Sequence, residues 1–251
     1  MEHPLLFLCY LLQLLGIPSG PHYYEEASHY GIMAYIFAPH MVHSYFVCLL
    51  LIILIKIGLK RREFIPRGGQ NFWEFVVEST YNFTVENVPH EEGPGKINLV
   101  PYVFPLIMMF TVYILFSNYL GLIPGFMCPT ANINVTLGLT LITIVYYHFL
   151  GLRFQGLRYF KQFLGPIPYL IPLIAPAEIF GHIGRIISLS VRLFANMMAK
   201  ELLIGILLFL AGPFLAPLPI LLLGVLVAFI QMLIFITLSL AYFAGAVEEH
   251  H

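Results

Sequence analysis

The chain has 251 residues, of which 59% are hydrophobic and only 10% charged, against roughly 25% charged residues in an ordinary soluble domain. That balance excludes a water-soluble globule, and the absence of alternating strand patterns excludes a barrel, which leaves an all-α membrane protein. A net charge of −1 gives no electrostatic case for a nucleic-acid partner, and aspartate is absent, so all thirteen acidic side chains are glutamates.

The first apolar stretch, residues 4–17, follows Met-Glu-His. It lacks the basic start and small-residue cleavage site of a signal peptide, so it is expected to be retained. At 14 residues it is short for a span and is expected to lie at the interface or re-enter it. Residues 1–30 thus read as an N-terminal apolar segment and an outer loop, and the histidines before position 44 as loop or interface groups. The first span is expected over 32–59, beginning near Ile32 or Met41. The basic cluster Lys56, Lys60, Arg61, Arg62 and Arg67 at its end marks the cytoplasmic side.

Residues 70–88 place Glu74, Glu78, Asn82 and Glu86 at intervals of four, with apolar residues on the other faces. This pattern predicts an amphipathic interfacial helix and not a span. After the linker PHEEGPGK (89–96), a second span is expected over 101–123, stopping at Pro124-Gly125, and a third over 133–152. Arg153, Arg158 and Lys161 form a second basic loop after the third span, so two spans return the chain to the same side and both clusters agree on one topology.

The C-terminal third reads as a hairpin of two long apolar helices, 169–211 and 214–247. The first is broken at its start by Pro172 and Pro176 and is strongly tilted, and Gly212-Pro213 supplies the turn. About five transmembrane helices result, with the N-terminus outside and the C-terminus cytoplasmic. Cys9, Cys48 and Cys128 are scattered without metal-ligand spacing and read as packing residues.

Within the hairpin sit Glu178, His182, Arg185, Arg192, Asn196, Lys200 and Glu201, although a mid-bilayer charge costs about 2.5 to 3.5 kcal/mol on insertion scales. At about 100° per residue, Glu178, His182, Arg185, Arg192 and Asn196 fall within one narrow face, which must meet protein or water. Glu201, nine residues beyond Arg192, points about 180° away and ~13.5 Å further along the axis, so the two are not an ion pair. They read as occupants of two compartments on opposite sides of one helix. The turn sets Arg192 opposite Gln231, and Gly224 opposite Ala199 and Lys200, where a missing side chain leaves space for Lys200 or a water. For Arg185 the competing reading is a headgroup contact, for Lys200 and Glu201 a solvated helix end, and for His148 a satisfied polar residue at a span end.

The segment SLSVRLFANMMAKEL (188–202) closely resembles subunit a of the F-type ATP synthase. The resemblance extends to SNYLGLIPG (117–125), TANIN (130–134), FLGPI (163–167), the region from Glu178 to His182, VAFIQMLIF (227–235) and the EEHH ending. It implies a non-catalytic stator subunit in which Arg192 faces the carboxylate of each passing ring subunit, between two offset half-channels. Carried over by position, Asn196, Glu201 and Gln231 line the outer half-channel, while Glu178 and Ser188, with His182 on the same stripe, belong to the cytoplasmic side. Lys200, Gly224 and Asn118 are possible modulators. Implied partners are the ring of small hairpin subunits (subunit c), the peripheral-stalk subunit b, the remaining subunits and the lipid bilayer, with no cofactor or metal. The chain departs from the family pattern at Ala195 and Lys200, where glycine is common, at Gly224, where some members carry a histidine or another polar group, and at Gly121, where some carry an acid.

The chain itself has no GxxxxGK[ST] nucleotide motif. It lacks a transit peptide, which favours a bacterial inner membrane. A self-contained secondary transporter would call for internal repeats, of which the sequence has none, and a purely structural anchor has no use for a midplane arginine.

Overall fold

A computed structural model describes residues 38–60, 68–90, 98–123, 125–156, 159, 171–211 and 218–247, with only the backbone at 171–175, 177–178, 208–211 and 218. The expectations for residues 1–37, for Arg61, Arg62 and Arg67, for Arg158, Lys161 and FLGPI, for the turn at Gly212-Pro213 and for the EEHH ending lie outside these residues.

Among the described residues six α-helices follow in order: α1 (Pro39–Gly58), α2 (Gly69–Asn87), α3 (Val100–Leu120), α4 (Ile133–Gln155), α5 (Ile171–Ala211) and α6 (Leu218–Val247), with a 3₁₀ turn at Pro129–Ala131 before α4. The chain is thus an all-α membrane protein. Among the described residues, α1, α3, α4 and the 219–247 stretch of α6 are long and apolar enough to cross a membrane. In hydrocarbon every backbone group must find its partner inside the chain, and a helix does this locally.

Prolines open several helices where their missing N–H costs nothing: Pro39 begins α1 and Pro101 sits at the start of α3. Asn132 caps α4, its side chain accepting from the Asn134 amide at 2.9 Å. At the other end of α4, Gly156 adopts φ 58°, a left-handed conformation that glycine enters without a Cβ penalty.

Pro172 and Pro176 do not break α5, which runs through both for 41 residues. Pro172 lies in the first turn, where amides are unpaired in any case. Only Pro176 forfeits a bond within the helix. At ~1.5 Å per residue, α5 is about 60 Å long, twice the ~30 Å hydrocarbon layer.

The core joins α3, α4, α5 and α6. Val103, Ile107, Phe110 and Ile114 of α3 recur at helical spacing and meet Leu189, Leu193 and Met197 of α5 together with Phe235, Leu240 and Phe243 of α6, all buried. Phe110 and Phe235 pack edge to face at 5.4 Å. Lipid is as apolar as these side chains, so close packing holds the helices together. Buried threonines fit because each hydroxyl donates to a carbonyl of its own helix, as Thr140 does to Thr136 at 2.9 Å and Thr143 to Leu139 at 3.1 Å.

A second cluster joins α1, α2 and α3 through Val47, Leu51, Trp73, Val112 and Leu120. Trp73, Thr80 and Thr84 form the buried face of α2, while Glu74, Glu78 and Glu86 are exposed. The Trp73 indole donates to the Leu54 carbonyl at 3.3 Å, which joins α2 to α1.

His40 and His43 overturn one expectation, because both lie in the first turns of α1 and are buried. His43 Nδ1 is 2.7 Å from the Pro39 carbonyl, and its ring meets Phe126 edge-on at 6.1 Å. A helix that begins at Pro39 carries these two histidines inward with it.

Candidate functional site

Helix α5 carries His182, Arg185, Arg192, Asn196, Lys200 and Glu201, and successive positions along it address different neighbours. His182 is buried near the start of that series, and its ring stacks on His148 of α4 at 5.3 Å. The His148 Nδ1 lies 2.7 Å from the Tyr159 hydroxyl. Arg185 sits 5.6 Å over the Tyr242 ring of α6, a cation–π contact where a headgroup partner was the competing expectation. Glu178 lies on the backbone of α5, and its side chain is outside the described residues.

Arg192 comes next, about two turns after Arg185. It is half-buried, and its Nη2 donates to the Ser188 hydroxyl at 3.3 Å, one turn earlier. Ile187, Val191, Met198 and Leu202 of α5 and Leu226 and Ile230 of α6 are exposed, so the guanidinium is set into an apolar surface. Among the described residues its hydrogen-bond partner is a hydroxyl and not an acid.

Gln231 is buried but does not bond to Arg192. Its Oε1 accepts from the Asn196 amide at 2.6 Å, one turn further along α5. Counted from the α5–α6 connection, the expected register misses by about one helical turn, so that Gln231 meets Asn196 and not Arg192. Nearer that connection the expected pairing of Gly224 with Lys200 is present: a Cβ on Gly224 would stand 3.3 Å from Lys200 Cδ.

Lys200 and Glu201 turn away from the apolar surface. Lys200 is 7% exposed, so it is not a solvated helix end, and its Nζ donates to the Asn118 carbonyl of α3 at 3.0 Å. Glu201 Oε1 accepts from the backbone amide of Cys128 at 2.6 Å. The Cys128 thiol, fully buried, lies 3.3 Å from the Ser117 carbonyl and 2.9 Å from the Thr130 hydroxyl, which donates to Asn118 Oδ1 at 2.6 Å. Burial pushes the Cys128 thiol up to about 11, so it is a neutral S–H at ordinary pH. Asn118 Nδ2 in turn reaches the Ala228 carbonyl of α6 at 3.4 Å.

Sequence reasoning took Cys128 as a packing residue and did not single out Thr130 as a site residue. The available signal was the polar run Pro129–Asn132 between two apolar spans. The resulting network joins α3, the α3–α4 connection, α5 and α6 around Glu201 and Lys200, while Arg192 and Ser188 stand on the uncovered side. Among the described residues no group of three or more His, Cys, Asp or Glu side chains could hold a metal ion.

Such an arrangement performs no bond chemistry of its own. It holds a permanent cation at an uncovered surface and a carboxylate in a separate polar pocket. Fold and site together define a polytopic helical membrane protein with a polar network inside its helix bundle. The sequence model of the ATP synthase A chain family matches residues 41–244. "ATP synthase subunit a" of Syntrophobacter fumaroxidans is 47% identical over 252 residues, with the whole of both chains covered. The proteins of the same name from Desulfotalea psychrophila and Geotalea uraniireducens are 43% and 40% identical over 251 residues, again at full coverage. This chain belongs to the ATP synthase A chain family. It is therefore a membrane-spanning, non-catalytic member of that assembly.

Proposed function

We propose that this chain is the stator subunit that carries ions to and from the carboxylates of a rotor ring through two offset half-channels, coupling proton flow to rotation and ATP synthesis. One observation carries the reading: Arg192 lies on the uncovered apolar face of α5, while Glu201 is turned into a polar pocket on the far side of the same helix. The exposed face of α5 and α6 is the docking surface for the ring of subunit c. Asn196, Glu201 and Gln231 belong to the outer path, with Lys200, Gly224 and Asn118 as its modulators, and Ser188, His182 and Glu178 to the cytoplasmic one. Subunit b and the rest of the synthase complete the assembly in a bacterial inner membrane, with the N-terminus outside and the C-terminus cytoplasmic.

A fixed cation beside a ring carboxylate favours its ionised form, so the ring site opposite Arg192 must release its proton. The guanidinium stays charged even when desolvated, which blocks direct passage of protons between the two paths. Each elementary charge that crosses delivers ~2.3 kcal/mol per 100 mV, and a leak dissipates that work as heat.

ATP-driven proton pumping in inverted membrane vesicles carrying Arg192→Ala tests the proposal. The expected result is an assembled complex without coupled pumping. Full coupled pumping overturns the stator reading, and lost pumping with normal assembly excludes a purely structural anchor.

A further inference from the structure

We infer that the backbone amide of Cys128 is a positioning group for Glu201, so that the α3–α4 connection sets the geometry of the outer ion path. The inference rests on the reading of Glu201 as a member of that path. Glutamate has three side-chain torsions and, left alone, samples several rotamers. Here the Cys128 N–H fixes one carboxylate oxygen at 2.6 Å, a charge-assisted bond when the group is ionised.

The donor is itself held rigidly. Cys128 has no exposed surface, and its thiol is kept between the Ser117 carbonyl and the Thr130 hydroxyl. A Cβ on Gly121 would stand 2.5 Å from the Cys128 Cβ, so the connection lies flush against the end of α3. Thr130 and Lys200 both converge on Asn118, one through its side chain and one through its carbonyl. A displacement of the connection therefore moves the donor of Glu201 and the Thr130 partner of the Asn118 side chain together.

The backbone geometry permits a test that removes the donor together with the thiol, and a control that removes the thiol alone. Cys128 has φ −72° and ψ 116°, close to the φ of about −65° that proline imposes and to the extended ψ required before Pro129. Cys128→Pro thus deletes the N–H and the thiol at a φ that residue 128 already has and turns the proline Cδ toward the carboxylate, and Cys128→Ala deletes the thiol and keeps the N–H. Vesicles carrying the complete synthase are assayed for subunit content and for ATP-driven acidification across pH.

The Ala variant, which loses the thiol's contacts but keeps the amide, is expected to retain the acid limb of the parental profile at a rate well above that of the Pro variant. The Pro variant is expected at least tenfold slower, with the acid limb of its profile moved to higher pH, because a carboxylate that loses a hydrogen bond holds its proton more tightly. Glu201→Asp, one methylene short of the same amide, is expected to show the same displaced limb. The inference is overturned if Pro and Ala variants have equal rates and profiles, if Ala loses as much as Pro, or, should the Pro variant fail to assemble, if Glu201→Asp keeps the parental profile. Normal pumping by Glu201→Gln overturns the placement of Glu201 in the path, a separate failure.

Discussion

The side-chain amide of Asn196 donates to Gln231 Oε1 at 2.6 Å, which ties α5 to α6 one turn beyond Arg192. The bond leaves the guanidinium to Ser188 and the uncovered surface, and it gives the buried Gln231 carbonyl its partner. Gln231 is 2% exposed, so the loss of Asn196 orphans a polar group away from water.

Asn196→Leu is accordingly expected to destabilise the protein by about 1 to 3 kcal/mol, the cost of an unsatisfied buried polar atom. Asn196→Leu with Gln231→Leu is expected to cost less than the sum of the two single changes. Thermal unfolding of the four proteins in detergent, read as a double-mutant cycle, measures the difference. Strict additivity would show that the two amides are not coupled.

Arg192→Lys is expected to assemble normally and to lose at least nine-tenths of coupled pumping. Lysine gives up its proton when desolvated, whereas guanidinium does not. On the half-channel function proposed for Arg192, passive proton conductance of the same vesicles is expected to rise, because a lysine barrier is neutral for part of the time.

Gly224 is the third point of test. A Cβ there would come 2.7 Å from Leu122 Cδ2 and 3.3 Å from Lys200 Cδ, so Gly224→Leu overfills the site at about 1 to 3 kcal/mol. Pumping is expected to drop at least tenfold, and Lys200→Gly in the same chain is expected to recover part of it by returning volume. Unchanged pumping by Gly224→Leu would show that the two residues do not share space.

The fourth concerns α4. Gly151 lies against the Tyr159 ring, so Gly151→Ala is expected to displace Tyr159 and cost about 1 to 3 kcal/mol in stability. Tyr159→Phe keeps the packing and removes the hydroxyl that meets His148, with an expected cost of about 0.5 to 1.5 kcal/mol. Thermal unfolding of both variants checks the order.

The spans were legible because a bilayer leaves the backbone few options, and apolar runs such as Val100–Leu120 and Ile133–Gln155 declare themselves. Ends were less so. Pro172 and Pro176 signal a break by local rule, yet the helix absorbs both, since the cost of a proline depends on whether its turn had a bond to lose.

The site divides in the same way. A helical wheel places Arg192 and Glu201 on opposite faces; Arg192 meets Ser188 of its own helix, and Glu201 meets the Cys128 amide of the α3–α4 connection. The wheel also groups His182, Arg185, Arg192 and Asn196 on one stripe, although they meet four different environments. A wheel gives the direction of Cβ, and these side chains are long enough to bend around it. Cys128 was beyond the reach of any residue-type pattern, because its contribution to Glu201 comes from a backbone N–H that nearly every residue possesses.

The exposed face around Arg192 has a consequence for the life of the chain before it has companions. A guanidinium carried into bare lipid draws water and headgroups toward the midplane and thins the bilayer around it. A newly inserted copy therefore sits in a dented membrane, and covering the face relieves the strain. Assembly is then favoured by the elasticity of the lipid as well as by protein contacts, and an unaccompanied copy stays marked by the distortion it causes.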